Sequence, residues 1–119
     1  MSRDRECLLD ILQAARLALT YVSGKTEAAF VGDTQCQDAV IRRLEIIGEA
    51  ARRLSEQTRG SLPTLPWNLM VGMRNLMIHE YDDVDLGVVW HTVQDDLPGL
   101  VVAIQSLVPP DESQNGSSS

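Results

Sequence analysis

The chain has 119 residues, enough for one domain that buries a sizeable core without disulfides or metals. Hydrophobic residues make up 44% and aromatic ones only 4%, so the core must be mostly Leu, Val, Ile, Ala and Met, which suits packed helices. A net charge of −7 argues against a general nucleic-acid binder with a broad basic face, although a local cleft can be positive on an acidic protein.

No apolar run approaches the roughly 18 residues of a membrane span, and Met-Ser-Arg-Asp-Arg-Glu at the start has no apolar signal region. A cytoplasmic protein is expected. Cys7 and Cys36 form neither a CxxC pair nor a metal framework, so both are read as reduced and structural, with no metal or other cofactor expected.

In chain order, Leu8, Ile11, Leu12, Ala15, Ala18, Leu19 and Val22 predict one face of a first helix. Gly24 is its expected left-handed cap. Thr26 opens a short helical piece from Glu27 to Val31, closed by Gly32-Asp33. Asp33 or Thr34 then caps a second long helix, in which Val40, Leu44, Ile47, Ala51 and Leu54 form a heptad-like seam with Gly48 on the same side. Ile46 falls on the outer face among Arg42, Glu49 and Arg53, where it is either an isolated exposed residue or part of a subunit interface.

Arg59 to Pro66 reads as a loop, and Pro66 suits the first turn of a third helix running to about Tyr81 or Asp82. Asp82 and Asp83 fit a solvated turn better than a Mg²⁺ site. Asp85 is the expected N-cap of a last helix with the inner stripe Leu86, Val89, Trp90, Val93, Leu97, Leu100 and Ile104. Pro98 predicts a kink or break near Asp96. The fold class is therefore all-α, an up-and-down bundle of four to five helices with the last kinked near Pro98. Residues 1–108 form the domain, and 109–119 read as a disordered tail by composition.

The third helix carries the chemistry. From Leu65 to Tyr81 it is almost entirely apolar, yet it holds Arg74, Asn75 and His79, and charged groups are costly to bury unpaired. Arg74 and His79 lie about 140° apart around a helix and flank a wedge; Tyr81 returns to the arginine's face and Asn75 shares the histidine's. An imidazole can move a proton near neutral pH, and a guanidinium can hold phosphate charge. The reaction these groups suit is attack of an RNA 2′-hydroxyl on its adjacent phosphate. By contrast, His91 reads as solvated beside Asp95, Trp67 and Trp90 as core or interface anchors, and Met70, Met73 and Met77 as flexible packing.

Arg74-Asn75, three residues, His79, any residue, Tyr81 and then Asp85 resemble the Arg-x4-His-x-Tyr motif of the HepT-like toxins of the HEPN superfamily. The resemblance extends along the chain from roughly residue 4 to 107. Ala39 to Ala51 is similar to the family's second helix, Leu65-Pro66-Trp67 and Gly72-Met73-Arg74-Asn75 to the start of its motif helix, and Val84 to Leu86, Val89-Trp90 and Asp96 to Pro98 to its last helical segment. It implies a HEPN-like bundle acting as a metal-independent endoribonuclease, the toxin of a toxin–antitoxin pair. It further implies a homodimer whose motif helices meet at a cleft, and a nucleotidyltransferase antitoxin that silences the toxin by AMP transfer from ATP. By the same resemblance Arg74 and His79 are catalytic, Asn75 supports them, and Tyr81 receives the AMP group. RNA is the expected substrate, with transfer RNA a candidate. The alternative is a non-catalytic helical module that binds a nucleotidyltransferase; the acidic charge favours it and the intact motif favours the ribonuclease.

Overall fold

The computed structural model describes residues 2–68, 70–72 and 85–108, and all the regular structure among them is helical. Helix α1, Ser2–Val22, buries Leu8, Ile11, Leu12, Ala15, Ala18 and Val22, the expected stripe, with Leu19 half-buried beside it and Cys7 and Ala14 added. It ends where Gly24 takes a φ of 77°, a conformation that costs a residue without Cβ little. Thr26 caps α2, Glu27–Val31, by accepting a hydrogen bond from the Ala29 N–H at 3.1 Å. The short helix is anchored by Phe30, which is fully buried with its ring 5.5 Å from that of Trp90.

Asp33 caps α3, Thr34–Arg53, by accepting from the Cys36 N–H at 3.0 Å. All five seam residues are buried, as is Gly48. Helix α3 packs along α1, and α1 packs in turn against the last helix, so among the described helices α1 is the central one. Fully burying side chains such as Leu44 or Ile47 contributes about 1.5–3 kcal/mol each relative to exposing them.

The chain differs from expectation after α3. Residues Glu56–Gly60 form a short helix, α4, which takes in the first two residues of the expected loop. Its N-cap, Ser55, accepts from the Thr58 N–H, and the Asp4 carboxylate in α1 accepts from the Ser55 N–H at 3.2 Å and the Ser55 hydroxyl at 2.7 Å. A contact from the far end of α1 thus helps fix a turn whose local residues read as loop.

The last segment is α5, Leu86–His91, then a π turn, Thr92–Asp96, then α6, Leu97–Leu107. The break falls where Pro98 demands one. Proline has no N–H to donate, and its ring crowds the carbonyl four residues back. The wider turn closes instead with the Leu97 N–H bonded to the Thr92 carbonyl, five residues back. The inner stripe survives: Val89, Trp90, Val93, Leu97, Leu100 and Ile104 are buried and Leu86 is half-buried. No described helix is long and apolar enough to cross a membrane. Residues 109–119 lie outside the described residues.

Candidate active site

Arg74, Asn75, His79 and Tyr81, and the turn residues Asp82 and Asp83, lie outside the described residues. The structure describes the two shoulders from which this segment is held. On the near side, hydrogen bonds step from α4 to the start of the motif helix. The Leu62 N–H donates to the Arg59 carbonyl at 3.1 Å, the Leu65 N–H to the Leu62 carbonyl at 3.2 Å, and the Trp67 indole N–H to the same Leu62 carbonyl at 2.8 Å. Residues 67, 68 and 70–72 are helical, and the Met70 N–H donates to the Pro66 carbonyl at 3.0 Å. Leu65 is buried and Met70 fully so. Trp67 is partly buried, an anchor with its one donor satisfied, as expected. Arg74 follows the described turn by two residues in sequence.

On the far side, Asp85 caps α5 as expected, its Oδ1 accepting from the Gly87 N–H at 2.9 Å and the Val88 N–H at 3.2 Å. Beside it opens a groove of ≈ 550 Å³ lined by Glu27, Asp85, Val88, His91, Thr92 and Asp95, among others. His91 is exposed, as expected, with Nδ1 3.7 Å from an Asp95 carboxylate oxygen. Its Nε2 is also 3.5 Å from Glu27 Oε1, which spacing along the sequence does not signal because the two residues are 64 apart. When protonated, this imidazole links α2 to the π turn. Trp90 is a core residue whose ring packs against that of Phe30 at a tilt of 39°.

Two other features bear on chemistry. Burial pushes the Cys7 and Cys36 thiols above their ordinary range, so neither is poised as a thiolate; the Cys36 thiol instead donates to the Tyr21 carbonyl at 3.6 Å. Ile46 is half-buried and lines an α1–α3 groove with Asp10, Arg42, Glu45, Glu49 and Arg53. Among the described residues no group of three or more His, Cys, Asp or Glu is placed to hold a metal ion.

Comparison with known proteins identifies the family. No solved structure matches the chain. A protein of Methanocaldococcus jannaschii named "Putative RNase MJ1380" is 38% identical over 78% of this chain and 85% of its own length. One from Thermococcus cleftensis named "Probable ribonuclease HepT" is 38% identical over 81% of this chain and 87% of its own. A third, the M. jannaschii "Gamma-glutamylcyclotransferase and putative RNase MJ0434", is 41% identical over 84% of this chain, which spans only 46% of that longer protein. The sequence model of the family described as ribonuclease HepT-like matches residues 11–107, which takes in both shoulders and the segment between them. The chain belongs to the ribonuclease HepT-like family of the HEPN superfamily.

Proposed function

We propose that this chain is the ribonuclease toxin of a toxin–antitoxin pair, cleaving RNA without a metal through Arg74 and His79. The observation that carries the reading is an intact Arg-x4-His-x-Tyr set inside a family match that spans nearly the whole chain. In this mechanism His79 takes the proton of a 2′-hydroxyl and the freed oxygen attacks the adjacent phosphorus. The bond from phosphorus to the 5′-oxygen breaks, and that oxygen leaves as a hydroxyl once protonated. The products are a 2′,3′-cyclic phosphate and a 5′-hydroxyl end. Arg74 balances the charge of the crowded phosphate, and Asn75 supports the imidazole.

The active unit is a homodimer with the motif helices near its axis, because the motif segment is apolar on more sides than one small bundle can cover. A nucleotidyltransferase antitoxin silences it in the cytoplasm. The Tyr81 oxygen attacks the α-phosphorus of ATP, pyrophosphate leaves, and the new phosphodiester pairs with Arg74 and blocks RNA. The test is purified protein incubated with transfer RNA in EDTA. Cleavage should occur, and Arg74→Ala and His79→Ala should each lower the rate by about 10²–10⁴ without unfolding the protein. A fully active His79→Ala variant would overturn the assignment. The net charge of −7 keeps a second reading in view, a non-catalytic module that binds the nucleotidyltransferase; it predicts no cleavage by either protein.

A further inference from the structure

We propose that the end of the bundle where α1 begins, α3 ends and α4 crosses is the surface that docks the RNA phosphate backbone, with Arg3, Arg5, Arg52 and Arg59 as its cations. This rests on the ribonuclease reading and gives that site a positive approach on a chain of net charge −7.

The residues are brought together by one knot of hydrogen bonds. Asp4 accepts from the Ser55 N–H, the Ser55 hydroxyl and the Thr58 hydroxyl, which fastens the start of α1 to the start of α4. Arg3 and Arg5 flank Asp4, Arg52 lies three residues before Ser55, and Arg59 follows Thr58. Four of the ten cations of the chain are therefore within three residues of this link in sequence. Arg3, Arg5 and Arg52 are exposed and Arg59 is half-exposed, and among the described residues none of the four is in an ion pair. The carboxylates within the same stretches are Asp4, whose two oxygens are already engaged, Glu6 and Glu56. Arg53 belongs elsewhere, lining the α1–α3 groove with Asp10 and Glu49.

Ordinary helix electrostatics explains only half of the cluster. Arg52 in the last turn of α3 and Arg59 in the last turn of α4 complement the negative ends of their helices. Arg3 and Arg5 do the opposite. They sit in the first turns of α1, where a cation opposes the positive end of the helix. An unfavourable local placement repeated twice points to a polyanion outside the fold. Arginine also suits that partner, since its planar fork matches phosphate oxygens in pairs.

The surface connects to the site. The Arg59 carbonyl accepts from Leu62, and the Leu62 carbonyl accepts from the Trp67 indole, so the cluster is bonded stepwise to the start of the motif helix. Arg74 follows Trp67 by seven residues in the chain. The other shoulder carries Glu27, Asp85, Asp95 and Asp96 and would repel the same strand. RNA would thus approach from the α4 side.

The test is fluorescence anisotropy with a labelled 2′-O-methyl RNA oligonucleotide, which lacks the attacking hydroxyl, titrated with the full chain at several KCl concentrations. The triple variant Arg3→Gln, Arg52→Gln, Arg59→Gln should bind at least about tenfold more weakly, with its salt slope reduced by about 2 for three lost phosphate contacts. The control Arg16→Gln, Arg42→Gln, Arg43→Gln changes net charge equally and should bind within about twofold of the unaltered chain. Replacing the same three cluster arginines by lysine should keep the salt slope, which separates charge from folding. Equal weakening by the cluster and control triples, or no weakening by the cluster triple, overturns the proposal while leaving the ribonuclease reading intact. Failure of the unaltered chain to bind the oligonucleotide at low salt sinks both.

Discussion

The two shoulders of the motif segment are held by different physics. The near one, from α4 through Leu62 and Leu65 to Met70, is fixed by apolar burial and by hydrogen bonds among uncharged groups. The far one, from Asp85 through α5, is fixed by a carboxylate cap and flanked by Glu27, His91 and Asp95 in an open groove. Burial tolerates salt and pH, whereas carboxylate caps and exposed ion pairs do not. The two described turns that bracket residues 73–84 therefore differ, one being held by burial and the other electrostatically tunable.

The largest effect should come from the near shoulder. Met70→Ala removes a fully buried side chain and should cost about 2–5 kcal/mol in denaturant unfolding. A loss under about 1 kcal/mol would mean that the near shoulder is not held by burial, and the contrast between the two would collapse. At the far shoulder, Asp85→Ala leaves the Gly87 and Val88 N–H groups without their cap and should cost about 0.5–2 kcal/mol, with Asp85→Asn recovering most of it. Equal losses in Asp85→Asn and Asp85→Ala would show that the cap hydrogen bonds are not what matters there.

The smallest effect concerns Asp4, whose carboxylate ties the start of α1 to the start of α4. Hydrogen bonds from Thr58 and Ser55 hold its pKa below the ordinary carboxylate range. A lowered folded-state pKa means that its contribution is present above the unfolded value and is lost as pH falls through the folded one. Melting temperature should therefore drop between pH 5 and pH 3 by slightly more in the unaltered chain than in Asp4→Asn. An identical pH dependence in both would remove Asp4 from the account.

Much of this fold is readable in the residues because its causes are local. The seam of α3 repeats at helical spacing, Asp33 and Asp85 precede their helices as caps, and Pro98, with no N–H to donate, interrupts the regular α-helix ahead of it. Helix α4 escaped because the contact that favours it comes from Asp4, 51 residues before Ser55. The Glu27–His91 pair escaped for the same reason. Ile46 illustrates an intermediate case: helical projection places it outward, but a neighbouring helix half-covers it. The candidate site is the reverse of α4. Its residue types and spacing are legible in the chain, while the described structure reaches only the turns on either side.

The most direct test of the central claim is the chemistry of the cut ends. RNA incubated with the purified chain in EDTA should yield fragments ending in 2′,3′-cyclic phosphate and beginning with 5′-hydroxyl, as read by mass spectrometry, and His79→Ala should form them at least about 100-fold more slowly. Fragments with 5′-phosphate ends, or the same fragments from His79→Ala at an undiminished rate, would contradict it.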